Sequence, residues 1–288
     1  MIKKISKSIF SAVIFLSFVH SGGYAQLKGD TYALAKESKK ATWIITHSDS
    51  PGLATLNAAG KPEGVCFDLM TEFSNYVKTK TGIAVTMQYK TEMADDFALF
   101  LKNVKNGKGG LFGLSNTTIT NERKKSYYFS PPYIKNISMI LSNVGVADLS
   151  TIKDISKSFS QLRAITIKGS TNEARLLEIK KKYYPDMVVE YVSSFAKAIE
   201  IISTNPKTFT CLDFTYYLRA VKEGKKIKRH AVGDEDGEEF GIIMPLSNDW
   251  NPLLTEFMNS GFTESVQYNK IITNNLGQGV LKFIKKTK

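Results

Sequence analysis

The chain has 288 residues, 42% of them hydrophobic and 23% charged. These proportions fit a soluble globular protein of one or two domains and exclude a disordered chain, a collagen-like repeat and a disulfide-rich miniprotein. Two cysteines, Cys66 and Cys211, and three histidines, His20, His47 and His230, offer no CxxC, HExxH or clustered zinc-ligand spacing. No metal and no cofactor is therefore expected, while the formal charge of +12 raises nucleic acid or a membrane surface as partners.

Lys3, Lys4 and Lys7 form a basic start, residues 9–19 are apolar, and Gly23 and Ala25 place small residues at the −3 and −1 positions of a cleavage site before Gln26. Residues 1–25 read as a cleaved secretory signal peptide, because the apolar stretch is about half the roughly 20 residues that a membrane span needs. No cysteine follows it for lipid attachment, and its removal lowers the formal charge from +12 to +9. The expected location is the periplasm. Cys66 and Cys211, both in apolar surroundings, are expected to stay unpaired and buried there.

A polar extension at 26–41 precedes a strand at 43–45. Leu69, Met70, Phe73, Tyr76 and Val77 recur at helical spacing and predict a helix over 67–80. A strand follows at 84–89, then a helix marked by Phe97, Phe100, Leu101 and Val104, a strand at 111–114 and an apolar run at 138–142. A second unit repeats this grammar. Strands are predicted at 163–167, 187–191 and 209–212, and helices over 173–183, along Phe195, Ala198, Ile199 and Ile202, and over 215–223. A polar loop at 233–237 leads into a strand at 240–244, and the rest of the chain is mostly helical. Such alternation predicts an α/β fold of two lobes without a flexible linker: 42–141 with 241–288, and 142–240. The chain would pass between lobes near 142–144 and 238–241, leaving a ligand cleft between them.

GLSNTTITNERKKSYYFSPPY at 113–133 resembles the signature of the periplasmic amino-acid-binding proteins of ABC importers, solute-binding family 3: a strand, then T-I-T-x-x-R, then F-S-x-P-Y. GKPEGVCFDL at 60–69, IKGSTN at 167–172, TCLDF at 210–214 and FGIIM at 240–244 resemble, in order, that family's other segments. The resemblance implies a type II periplasmic-binding fold with two hinge strands and a ligand held by Arg123, Thr118 and Asn116 from one lobe and by Ser170, Thr171 and Asp213 from the other.

An α-amino acid presents a carboxylate and an ammonium, so a receptor needs a donor fork on one side and an acid on the other. The planar guanidinium of Arg123 suits the carboxylate, a contact of roughly 1.5–3 kcal/mol when shielded from water. Thr120 can cap the short helix that carries it. Thr118 and Asn116 lie at the carboxyl end of a strand, where open α/β sheets bind ligands. Ser170 and Thr171 open a helix and offer hydroxyls and N–H groups to an anion, or serve only as its cap. Asp213 directly follows a buried strand and can receive an ammonium or cap the next helix. Arg123 could instead be a surface helix residue paired with Glu122 or a neighbour.

The chain departs from the family in its first loop, HSDSPGL at 47–53, where Ser50 stands in place of the covering aromatic and His47 in place of the first acid. His47, Asp49, Asp95 and Asp96 nearby suggest a polar or cationic ligand. The leading expectation is a non-catalytic, monomeric, exported binder that closes two lobes on an amino acid or similar zwitterion and delivers it to the permease of an ABC importer. One alternative is an enzyme on the same scaffold, like the cyclohexadienyl dehydratases, using His47, Glu173 or Lys168 as acid or base. Another is a ligand-presenting partner of a sensor. The basic runs at 180–182, 222–229 and 282–288 fall in three separate regions without a nucleic-acid-binding motif, so no nucleic acid is expected.

Overall fold

The computed structural model describes residues 26–92 and 94–285; the expected signal peptide, 1–25, lies outside them. In chain order, α1 (Tyr32–Ser38) leads into β1 (Lys40–His47), the hairpin strands β2 (Thr55–Leu56) and β3 (Pro62–Glu63), α2 (Val65–Thr81), β4 (Ala84–Lys90), α3 (Phe97–Asn106), β5 (Leu111–Leu114), α4 (Asn121–Lys124) and β6 (Tyr128–Phe129). Then come β7 (Ile134–Asn143), α5 (Ile155–Ser158), β8 (Arg163–Thr166), α6 (Thr171–Tyr183), β9 (Val189–Tyr191), α7 (Phe195–Thr204), β10 (Thr208–Asp213), α8 (Phe214–Lys222) and β11 (Ile227–Arg229). β12 (Glu235–Phe240), β13 (Ile243–Met244), α9 (Asn251–Asn259), α10 (Val266–Leu276) and α11 (Gln278–Lys285) complete the described chain.

Apart from the separate β2–β3 hairpin, the strands form two mixed sheets, one per lobe. The first has the order β4-β1-β5-β13-β6, with β1 parallel to β4 and β5. The second has the order β11-β7-β10-β8-β9, with β10, β8 and β9 parallel and β12 added antiparallel to β7. All residues of β5 and β10 are buried, as befits strands covered on both faces. Both end at the gap between the lobes, and that is where their next residues project.

Two features differ from the sequence expectation. The apolar run at 138–142, assigned above to the first lobe, lies in β7 and pairs residue for residue with β10 in the second sheet, from Ser138 with Asp213 to Ser142 with Phe209. The chain therefore first crosses between sheets at 130–133 rather than at 142–144; apolar content marks a buried strand but not which sheet buries it. It returns at 240–243, because Phe240 pairs with Ile134 and Ile243 with Gly113. The segment at 233–237, expected as a loop, partly joins β12, whose acidic residues gain their partners from β7.

The polar extension at 26–41 is also more structured than its composition suggests. Thr31 caps α1 by accepting from Leu34 N, and the Asp249 carboxylate accepts from Tyr32 N at 2.7 Å and Ala33 N at 3.0 Å. Trp250 Nε1 donates to Asp30 O at 2.8 Å, fastening this segment to the first lobe. Below it lies an aromatic core in which Trp43, fully buried, stacks on Phe73 with ring centroids 4.9 Å apart and meets Trp250 edge-on at 5.2 Å.

Candidate ligand-binding site

Residues 115–118 continue beyond β5 into the gap, all four buried. The returning chain runs beside them, with Ile119 N donating to Glu239 O at 2.8 Å and Gly241 N to Thr117 O at 3.1 Å, which sets Glu238 next to Thr118. Thr120 then caps α4, its hydroxyl accepting from Arg123 N at 3.1 Å, as its position before N-E-R predicts. The cap turns the Arg123 side chain back toward the gap. One guanidinium nitrogen donates to Thr118 O at 3.0 Å and the other crosses to Gly169 O, in the second lobe, at 3.3 Å. Gly169 has φ +79, a conformation that costs little without a Cβ, and it lies just before Ser170. The guanidinium carbon also sits 5.7 Å from the Phe97 ring centroid.

Asp213 ends β10 and stands at the N-cap of α8, yet its side chain makes no capping bond. It turns instead into a cage of asparagines. Oδ2 accepts from Asn116 Nδ2 across the gap, and Oδ1 accepts from Asn136 Nδ2 at 2.8 Å and Asn172 Nδ2 at 3.2 Å. Two hydroxyls orient these amides: Ser50 Oγ faces Asn116 Oδ1 at 2.8 Å, and Ser138 Oγ donates to Asn172 Oδ1 at 2.8 Å. Asp213 is only 2% exposed, and burial first, then the negative charge of Glu238, push its carboxyl up from 3.8 to about 7 against the pull of the three amides. Burial also lowers the Arg123 pKa, opposed first by Glu238.

Further contacts join the lobes. Thr118 Oγ1 lies 3.2 Å from Thr171 Oγ1, Tyr216 OH donates to Asp49 O at 2.9 Å, and Arg219 pairs with the Asp49 carboxylate at 3.4 Å. Phe97 of the first lobe meets Phe195 of the second, their centroids 5.9 Å apart. The structure thus brings together Asn116, Thr118, Arg123, Thr171 and Asp213. Ser170 serves as a cap: its hydroxyl accepts from Glu173 N at 3.0 Å and donates to Ile167 O at 2.7 Å. Glu173 meanwhile accepts from Gly169 N at 2.6 Å, so an acid of the chain itself already occupies the start of α6.

His47 is placed differently. It is 1% exposed and packs edge-on against Phe67 at 5.6 Å, and its Nε2 has no hydrogen-bond partner. Burial lowers its pKa despite Asp49 and Asp95 nearby. The residues that sequence reasoning missed are Asn136, Asn172 and Glu238. Asn136 and Ser138 alternate with Ile134 and Ile140 on one buried face of β7, which was a readable signal; Glu238, within the acidic run EDGEE, carried none.

Cys66 and Cys211 are both free and fully buried, and burial pushes their thiols up to about 12 and about 11. Among the described residues no group of three or more His, Cys, Asp or Glu could hold a metal ion, and no helix is long and apolar enough to cross a membrane.

Comparison with known proteins places this arrangement. No curated protein matches the chain. Among solved structures, an ancestral arginine-binding protein bound to glutamine superposes with a TM-score of 0.65 at 20% identity, covering 82% of this chain and 98% of the other. A substrate-binding protein of an ABC uptake transporter from Streptococcus pneumoniae, with bound histidine, gives 0.65 at 20% identity over 86% and 96%. The arginine-, lysine-, histidine-binding protein ArtJ from Geobacillus stearothermophilus gives 0.63 at 18% identity over 82% and 95%. The fold is therefore the type II periplasmic-binding fold, as the sequence motifs implied. The family profile of the bacterial extracellular solute-binding proteins, family 3, matches residues 43–271. Fold, motif order and profile agree: this chain is a family 3 bacterial extracellular solute-binding protein.

Proposed function

We propose that the protein captures an amino acid or similar small zwitterion between its lobes. The observation that carries this reading is the pair Arg123 and Asp213, a guanidinium and a buried carboxylate brought to one gap from different sheets. Each is held there by groups of the opposite lobe that a ligand can replace. The ligand carboxylate would take the place of Gly169 O on Arg123, and its ammonium that of the Asn116 amide on Asp213. Thr118 and Thr171 supply hydroxyls between them, and Ser170 positions the loop. Closure then satisfies both ligand charges at once, which an open cleft cannot do. The relatives named above hold glutamine and histidine, which agrees with this ligand class.

In this reading the protein is exported by its first 25 residues, works outside the cytoplasm without catalysis, and hands its ligand to an ABC permease. The burial of His47 against Phe67 speaks for binding over acid–base chemistry, since that ring was the histidine available to such a reaction. Titration calorimetry of the mature chain, unfolded and refolded to strip carried ligand, is the test. At least one amino acid should bind at micromolar or tighter affinity, and Arg123→Ala should abolish it. No binding across amino acids, polyamines and small organic acids refutes the reading.

A further inference from the structure

Glu238 is a carboxylate that the pairing of a zwitterion with Arg123 and Asp213 does not use. It sits on β12, partly buried, with Oε2 accepting from Asn136 Nδ2 at 2.6 Å and Oε1 3.5 Å from Thr118 Oγ1. The same Asn136 amide donates to Asp213 at 2.8 Å, so one NH2 group joins two acids. Among the described residues no ion pair reaches either acid, whereas Asp49 beside them is answered by Arg219. Asn136 is 1% exposed, and the carbonyl oxygen of the amide that joins the two acids has no donor.

The electrostatic sum follows. With Asp213 ionised, as it must be to receive a ligand ammonium, Asp213 and Glu238 face one cation, Arg123, and a ligand of zero net charge leaves that imbalance of one negative charge unchanged. An uncompensated buried charge is costly, and a buried carbonyl without a donor adds to the cost. A ligand bearing one further cation removes both defects.

We propose that Glu238 is a specificity-determining residue that selects basic amino acids, the side-chain ammonium or guanidinium donating to Glu238 and to the carbonyl of Asn136. This rests on the reading of the interlobe gap as an amino-acid site. Calorimetry on the refolded mature chain, with arginine, lysine, citrulline, glutamine and glutamate as probes, separates the two. Arginine or lysine should bind at least tenfold more tightly than citrulline, the neutral counterpart of arginine. Glu238→Gln should erase that ratio in a chain that still folds, and Glu239→Gln should preserve it. Equal affinities for arginine and citrulline, or a ratio that survives Glu238→Gln, overturn the role assigned to Glu238 and leave amino-acid binding standing. Absence of binding by every probe overturns both. If the Gln variant does not fold, Glu238→Asp, which keeps the charge and shortens its reach, should narrow the arginine-to-citrulline ratio, and an unchanged ratio overturns the assignment.

Discussion

Asp213 should make the folded protein progressively less stable as the pH rises from about 4 to about 7. Its carboxyl is raised from 3.8 to about 7 by burial and by Glu238. Below the lower value both folded and unfolded chains hold the proton, and the group contributes nothing to the difference. Between the two values the unfolded chain releases its proton while the folded one keeps it, so proton binding falls faster in the unfolded state and stability declines. Above about 7 both are ionised and the loss is complete. At about 1.4 kcal/mol per pH unit, the interval amounts to roughly 4 kcal/mol. Other carboxylates pull the opposite way: Asp148 beside Lys228 is lowered, and its ionisation favours the fold as pH rises. The difference between wild type and Asp213→Asn isolates the one residue. Urea unfolding of both proteins, followed through the buried Trp43 and Trp250, should give a difference that shifts in favour of Asn by about 4 kcal/mol between about pH 3.5 and about pH 8. A constant offset from rearranged amide contacts does not affect that slope. A difference that stays flat with pH, or that moves in favour of Asp, would refute the account of the cage.

Further expectations concern the same site and its supports. Arg123→Lys keeps the charge but loses the fork that reaches Thr118 O and Gly169 O together; ligand affinity measured by calorimetry should fall about 10- to 100-fold, and unchanged affinity would remove Arg123 from the site. Thr120→Ala removes the cap of α4, which should cost about 1 kcal/mol in urea unfolding and weaken ligand binding several-fold, with Thr120→Ser restoring both. Phe73→Ala opens the core between Trp43, Phe112 and Phe257 and should cost about 3–5 kcal/mol in the same assay; a loss under about 1 kcal/mol would contradict the packing described for that lobe.

Much of this protein is decided by local chemistry. The periodicity of Leu69, Met70, Phe73 and Val77 specifies α2 because one face of a helix must be apolar to pack on a sheet, and the largely apolar residues before Ser115 and after Thr208 specify central strands for the same reason. Thr120 and Ser170 announce helix starts because only short polar side chains reach the free N–H groups there. The motif around Arg123 carries the family within a few residues. Tertiary structure decided what depends on which surfaces meet. Whether 138–142 belongs to the first or second sheet rests on a partner strand some seventy residues away, a pairing that its own composition does not encode. The side chain of Asp213 could have capped α8; three asparagines from β7, α6 and the end of β5 draw it elsewhere, and their convergence exists only once both lobes are folded and closed. His47 pointed by its loop position to the cleft, but the packing of β1 against α2 buries it on Phe67. Glu238 became part of the site only because the return crossing lays β12 beside Thr118. Local spacing governs what a residue can do, and long-range pairing governs what stands next to it when it does so.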